Sequence, residues 1–307
     1  DNDKVEGPAP ISARLGEITG LLNRFAPMAG SAIDALLQQH GVASANLSLS
    51  SLVSTYADAG VSLPFRIARY DGTDVVVPMG QVELTTSVVT LAKRLVTDWG
   101  LVSVEQLVER LHSRGSAIEG SLIVRRILSC LPRLRWLDDE RAWFSFQGEK
   151  SHLGLDVRKV FAIAKRVSLC ELRLALLKGR PQVAQAPLRT LEGYLSKVSN
   201  CEVDGDWVRP RGPAAAPFLS VPERLVVGVL EQFGGEMPLG LLKEQVSLLP
   251  VAETALARIV KVSPLFMRTD GDRVRLVGLA GQAFQPRSRY NADRPMRPPT
   301  GIVPSGS

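Results

Sequence analysis

The sequence predicts a mainly α-helical protein with small β-hairpins, built from tandem repeats. Three observations carry that prediction. Short β-prone runs flank an acidic turn four times, at 65–77 (FRIARYDGTDVVV), 134–146 (LRWLDDERAWFSF), 201–209 (CEVDGDWVR) and 266–277 (FMRTDGDRVRLV). The turn aspartates Asp71, Asp138, Asp204 and Asp270 are 67, 66 and 66 residues apart. Each of the last three hairpins follows apolar residues at helical spacing, and a constant period of this length marks stacked modules.

The elements follow in order. Asp-Gly between two β-prone runs signals a hairpin because Gly accepts the positive φ of a tight turn. In residues 1–84 the hairpin at Asp71 is clear, but 11–40 is interrupted by Pro27, 44–51 is Ser-rich, and one helical run lies near 52–59. A degenerate copy of the repeat is expected there. In 85–149, helices are expected over 87–96, from a Ser103 cap to His112, and over 119–131, where Ile123, Ile127 and Leu131 recur every fourth residue. In 150–213 they are expected over 157–167, after a Ser168 cap, and over 188–198 behind Pro187. In 214–279 they are expected over 222–233, 238–248 and 252–262. Three helices followed by a hairpin in about 65 residues outline a winged helix, a helix-turn-helix whose third helix can enter a groove. Residues 211–217 read as a Pro/Ala/Gly connector, and 280–307 as a disordered basic tail.

Charge separates these segments. The 307 residues carry a net +6, distributed as −4 in 1–84, +1 in 85–149, +6 in 150–213, 0 in 214–279 and +3 in 280–307. A basic segment beside an acidic one points to a polyanionic partner. The longest apolar runs are short, such as Leu225 to Leu230, so no membrane span is expected. The acidic, Pro-containing start is unlike a signal peptide, and Cys130, Cys170 and Cys201 are scattered in apolar surroundings. Both features fit buried thiols in a reducing cytoplasm. The first residue is not Met, as expected of a piece of a longer protein.

Chemistry-bearing motifs are not found. His40, His112 and His152 have no partners at metal-ligand spacing, and Walker, GxGxxG and GxSxG patterns are missing. Asp138-Asp139-Glu140 and the Asp-Gly-Asp runs at 204–206 and 270–272 read as turns, since a calcium loop needs further ligands and a terminal Glu. The expectation is a chain without catalytic, metal or cofactor residues. Trp136, Trp143 and Trp207 are expected to close small cores from the hairpins.

LRWLDDERAWFSF, the basic stretch VRKVFAIAKRVSLCELRLAL and the CEVDGDWV hairpin resemble the C-terminal part of bacterial sigma-factor-like helix-turn-helix proteins. More distantly the chain is similar to HARE-type helix-turn-helix modules. The resemblance covers about 85–280 and implies consecutive winged-helix units with a DNA-linked role. A sigma region 4 helix-turn-helix is not recognisable, and 1–84 match neither group.

Duplex DNA is therefore the expected partner, contacted by third helices and hairpins. The candidates are Arg125 and Arg126 in the second unit. In the third they are Arg158, Lys159, Lys165, Arg166, Lys178, Arg180, Arg189, Lys197, Arg209 and Arg211. Arg258 and Lys261, with Arg268, Arg273 and Arg275 on the hairpin, are weaker candidates in the fourth. The apolar third helices of the second and fourth units (Leu256, Ile259, Val260) suit a protein partner or a packed repeat interface. The expected function is DNA binding in transcription regulation or a DNA-linked defence or maintenance system. An assembly scaffold, or the regulatory region of a longer enzyme, is the alternative.

Overall fold

A tight turn needs positive φ at its centre, and the acidic turns supply residues that tolerate it. Asp71 and Gly72 sit at φ 49° and 84°, Gly205 at 54°, and Gly271 and Asp272 at 80° and 55°. The turn at Asp138 is longer and is closed by its side chain. The Asp138 carboxylate accepts from the Ala142 and Trp143 amides at 2.8 and 3.1 Å. The computed structural model describes residues 14–42, 48–116, 120–212, 219–249 and 251–278. The expected tail at 280–307 lies outside the described residues, as does most of the 211–217 connector.

The first module runs α1 (Leu15–Phe25), β1 (Met28–Ala29), α2 (Ile33–Gln39), α3 (Leu49–Asp58), β2 (Phe65–Tyr70) and β3 (Thr73–Pro78). The second runs α4 (Val82–Trp99), β4 (Val102–Ser103), α5 (Val104–His112), α6 (Ser121–Ser129), β5 (Leu134–Trp136) and β6 (Trp143–Phe146). The third runs α7 (His152–Ile163), β7 (Val167–Ser168), α8 (Leu169–Leu177), α9 (Gln182–Gln185), α10 (Leu188–Lys197), β8 (Cys201–Asp204) and β9 (Trp207–Pro210). The fourth runs α11 (Val221–Gln232), β10 (Glu236–Pro238), α12 (Leu239–Ser247), α13 (Glu253–Val262), β11 (Phe266–Thr269) and β12 (Arg273–Leu276).

Strand order repeats in all four. The short first strand pairs with the second hairpin strand, which lies in the middle: β1-β3-β2, β4-β6-β5, β7-β9-β8 and β10-β12-β11. Antiparallel pairing sets Val167 opposite Val208 and Met237 opposite Val274. These lone strands correct the three-helices-then-hairpin outline, as does α9, a fourth helix in the third module. Several helices also begin earlier than their periodicity suggested, α7 at His152 and α4 at Val82. Ser103 and Ser168 cap α5 and α8 as expected, accepting from the Gln106 and Glu171 amides. Ser151 and Ser220 cap α7 and α11 in the same way.

Contacts divide the chain into one compact unit within residues 1–94 and 103–134, and another within 95–102 and 135–307. In the first unit, Ile18, Leu22, Ile33, Leu37, Leu52, Tyr56, Phe65 and Val76 form the core of the first module. The Tyr56 hydroxyl is 2.8 Å from the Thr19 hydroxyl, so its polar end is satisfied. The end of α6 docks beside β1: Arg126 donates to the Arg24 carbonyl at 2.8 Å, and the Cys130 thiol to the Pro27 carbonyl at 3.2 Å.

In the second unit one core joins the third module to residues on either side of it. Leu101, Leu137 and Val277 pack with Leu153, Val160, Leu172, Leu191 and Tyr194. The fourth module has its own core of Val226, Leu230, Leu242, Leu256, Phe266 and Val274. Cys201 is buried, whereas Cys130 and Cys170 are half-buried. Burial pushes the Cys130 and Cys201 thiols up to about 11.

Candidate nucleic-acid interface

Side chains alternate across a strand, so residues two apart share a face. On β9 this places Trp207 and Arg209 outward, followed by Arg211, while Val208 points into the core. Ser168 stands opposite Trp207, which brings the preceding Arg166 to the same face. The Arg166 guanidinium lies 4.5 Å above the Trp207 ring. Trp207 is 42% exposed, so it does not close the core as the sequence suggested. Trp143 does, packing against the core of the third module. Arg209 is held by Glu202 on β8 through bonds of 2.9 and 3.0 Å, and those bonds keep the Glu202 carboxyl below its ordinary value. Both side chains are open to solvent, where such a pair contributes little and exchanges easily for a phosphate. Arg158 and Lys165 are exposed too.

The remaining candidates of the third module hold the protein together. Lys178 donates its Nζ to the Val260 carbonyl at 3.1 Å and to the Phe266 carbonyl, tying α8 to α13 and β11. Burial brings its ammonium down to about 8, helped by nearby Arg268. Lys159 contacts the buried Glu223 carboxylate at 2.8 and 3.1 Å, and Arg180 contacts Asp156 at 3.0 Å. Arg173, not foreseen, is buried and donates to the Ala184 and Ala186 carbonyls.

The third helix of this module is also occupied. On α10, Thr190, Leu191, Gly193, Tyr194 and Leu195 are all buried. Gly193 faces the Leu137 carbonyl of the preceding hairpin, 2.2 Å from where a Cβ would stand. Arg189 reaches Glu140 at 3.2 Å, and Lys197 donates to the Trp136 carbonyl at 2.9 Å. Lys197 is thus spent on the neighbouring hairpin, whereas the Arg189–Glu140 pair is open to solvent like that of Arg209 and Glu202. A glycine in mid-helix, which costs stability unless something needs the space, was the legible signal of this approach. In the second module Arg126 is committed to Arg24, as above. Arg125 is half-buried, and its Nε is shielded without a hydrogen-bond partner among the described residues.

The fourth module differs. On α13, Glu253, Thr254, Ala257, Arg258, Lys261 and Val262 are exposed along one side, while Leu256 and Val260 are buried. A cleft of about 730 Å³ is lined by Thr254, Arg258 and Val262 together with Asp156, Lys159 and Arg180 of the third module. Burial raises the Asp156 carboxyl despite Arg180 and Lys159. Burial acts the same way on Glu223, but donors from Lys159, Ser220 and Ser263 hold it below its ordinary value.

Among the described residues no three His, Cys, Asp or Glu side chains are grouped to hold a metal ion. Among the same residues no helix is long and apolar enough to cross a membrane. The sequence matches no protein-family model and no curated protein, so what can be said of its role comes from this geometry.

Proposed function

We propose that the chain is a tandem array of winged-helix modules that binds duplex DNA, has no catalytic centre of its own, and serves transcription regulation or DNA maintenance and defence. The observation that carries this reading is the outward row on the third module's sheet. Arg166, Arg209 and Arg211 stand on one face beside an exposed, Arg-stacked Trp207. Guanidinium groups pair with phosphate oxygens, and an amphipathic ring suits contact with sugar. The order helix, strand, helix, helix, hairpin in the first, second and fourth modules, repeated in the third with the extra α9, supports the winged-helix assignment.

A scaffold for protein assembly is the second reading. It is favoured by the use of α6 and α10 in packing between modules. A gel-shift series across salt separates the two. Each lost phosphate contact reduces the log–log salt slope by about 0.9, so Ala at Arg166, Arg209 and Arg211 together should flatten it by roughly 2–3. An unchanged slope would remove this row from the interface, and no binding to mixed-sequence duplex at low salt would sink the DNA reading and leave the scaffold.

A further inference from the structure

Five ionisable side chains converge on the cleft of about 730 Å³ that the third and fourth modules share: Asp156, Lys159, Arg180, Glu223 and Arg258. Two pairs account for four of them. Lys159 holds Glu223 at 2.8 Å, and Arg180 holds Asp156 at 3.0 Å. Arg258 is left over. It is exposed and takes part in none of the ion pairs among the described residues. Thr254, also exposed, stands one turn earlier on the same side of α13. Beside this polar row runs an apolar one. Ala255, Ile259 and Val262 recur at helical spacing and line the same cleft, and Val262 is 45% exposed.

We propose that this cleft binds a small organic acid, one carboxylate on an apolar body, with the carboxylate on Arg258 and Thr254 and the body along Ala255, Ile259 and Val262. Charge sets the head group. Three cations and two carboxylates leave the cleft one positive charge in excess, which a monoanion balances. A second negative group would meet Asp156 or Glu223. A guanidinium takes a carboxylate through two parallel N–H donors, and the Thr254 hydroxyl one turn away adds a third. The apolar row sets the body, because covering it removes apolar surface from water. An inorganic anion would leave that row wet, and an alkylammonium would set its charge against Arg258. Size agrees, since small-molecule sites enclose roughly 300–1,000 Å³. The lining comes from both modules, so an occupant also stabilises the seam between them. Arg166, Arg209 and Arg211 do not line the cleft, which makes binding here separable from DNA binding.

The test uses octanoate as the ligand. Its reporter is anilinonaphthalene sulfonate, a fluorescent monoanion with an aromatic body, bound to the whole chain. Octanoate should displace the dye and raise the melting temperature. Octylammonium and inorganic phosphate at the same concentrations should do neither. Arg258→Gln should weaken octanoate binding roughly 10-fold or more by removing its charged partner. Val262→Glu, which sets a carboxylate in the apolar row one turn from Arg258, should abolish it. Lys243→Gln removes an exposed cation outside the cleft and should leave binding unchanged. Circular dichroism shows whether each variant is folded, and Thr254→Val stands in for Arg258→Gln if that one is not. The proposal is overturned if octanoate displaces no dye, or if phosphate or octylammonium competes as well as octanoate does. It is also overturned if either cleft variant, folded, binds octanoate as the wild type does.

Discussion

Gly193 on α10 and Leu137 in the preceding hairpin are packed backbone to backbone: a β-carbon on Gly193 would lie 2.2 Å from the Leu137 oxygen. Gly193→Ala therefore sets two effects against each other. Helix propensity improves by about 1 kcal/mol, whereas forcing apart a packed backbone costs about 1–3 kcal/mol or more. The clash should win, and the urea midpoint should fall. Gly228→Ala on α11 is the control, because nothing lies within 4 Å of its Cβ position. It should keep or raise the midpoint, and equal effects of the two changes would refute the packing argument.

Removing Lys159 should cost stability more than DNA affinity. Its partner Glu223 is only 5% exposed, and a buried carboxylate stripped of its cation typically costs about 3–5 kcal/mol. Ser220 and Ser263 remain as donors, which places Lys159→Met near the lower end. In the wild type the lowered Glu223 carboxyl adds stability that is complete above its ordinary value of 4.5 and is lost as pH falls below it. With Lys159 gone, burial is less opposed, the carboxyl rises, and the acid limb of the stability–pH curve should flatten. Chemical denaturation at pH 3 to 7 measures both, and an unaltered acid limb would count against the pair.

Lys178 should make the chain more stable in mild alkali. Its folded ammonium titrates at about 8 and its ordinary value is 10.5. Between those values the unfolded chain binds the extra proton, so unfolding becomes less favourable as pH rises. Below pH 8 both states are protonated and the penalty is constant; above 10.5 neither is. The two raised thiols act the other way above pH 9, which makes the comparison with Lys178→Met the informative one. The wild type should gain on the variant from pH 8 to 10.5, by less than roughly 3 kcal/mol because the amine is only partly buried. Parallel curves would show that the ammonium is not penalised in the fold.

Hairpins and helix caps were legible because their causes are local. Asp71-Gly72 demands positive φ whatever surrounds it, and Ser103 or Ser168 ahead of an apolar run offers an acceptor to the next turn. The lone strands β1, β4, β7 and β10 were not legible, since two or three residues cannot display an alternation. The division of labour among cations was hidden for a different reason. Lys165 and Lys178 are alike in the sequence, and the apolar residues around each give no hint that one is exposed while the other caps carbonyls of the next module. Only packing between modules sorts them, and that depends on residues more than 80 positions away, such as Val260.

The seam between the third and fourth modules also bears on where the chain comes apart. Arg275 meets Glu171 at 2.8 Å with both side chains largely buried, and Gly278 sits where a β-carbon would stand 2.5 Å from that of Ala164. Lys159 and Lys178 cross the same seam. A cut at the repeat boundary, between 213 and 214, would bare Ala164 and Val167 and strand Glu171 without its guanidinium. The smallest piece able to melt independently is therefore larger than the repeat. Residues on both sides of that boundary should exchange their slowest amide hydrogens at one common rate, as parts of a single cooperative block rather than as beads on a string.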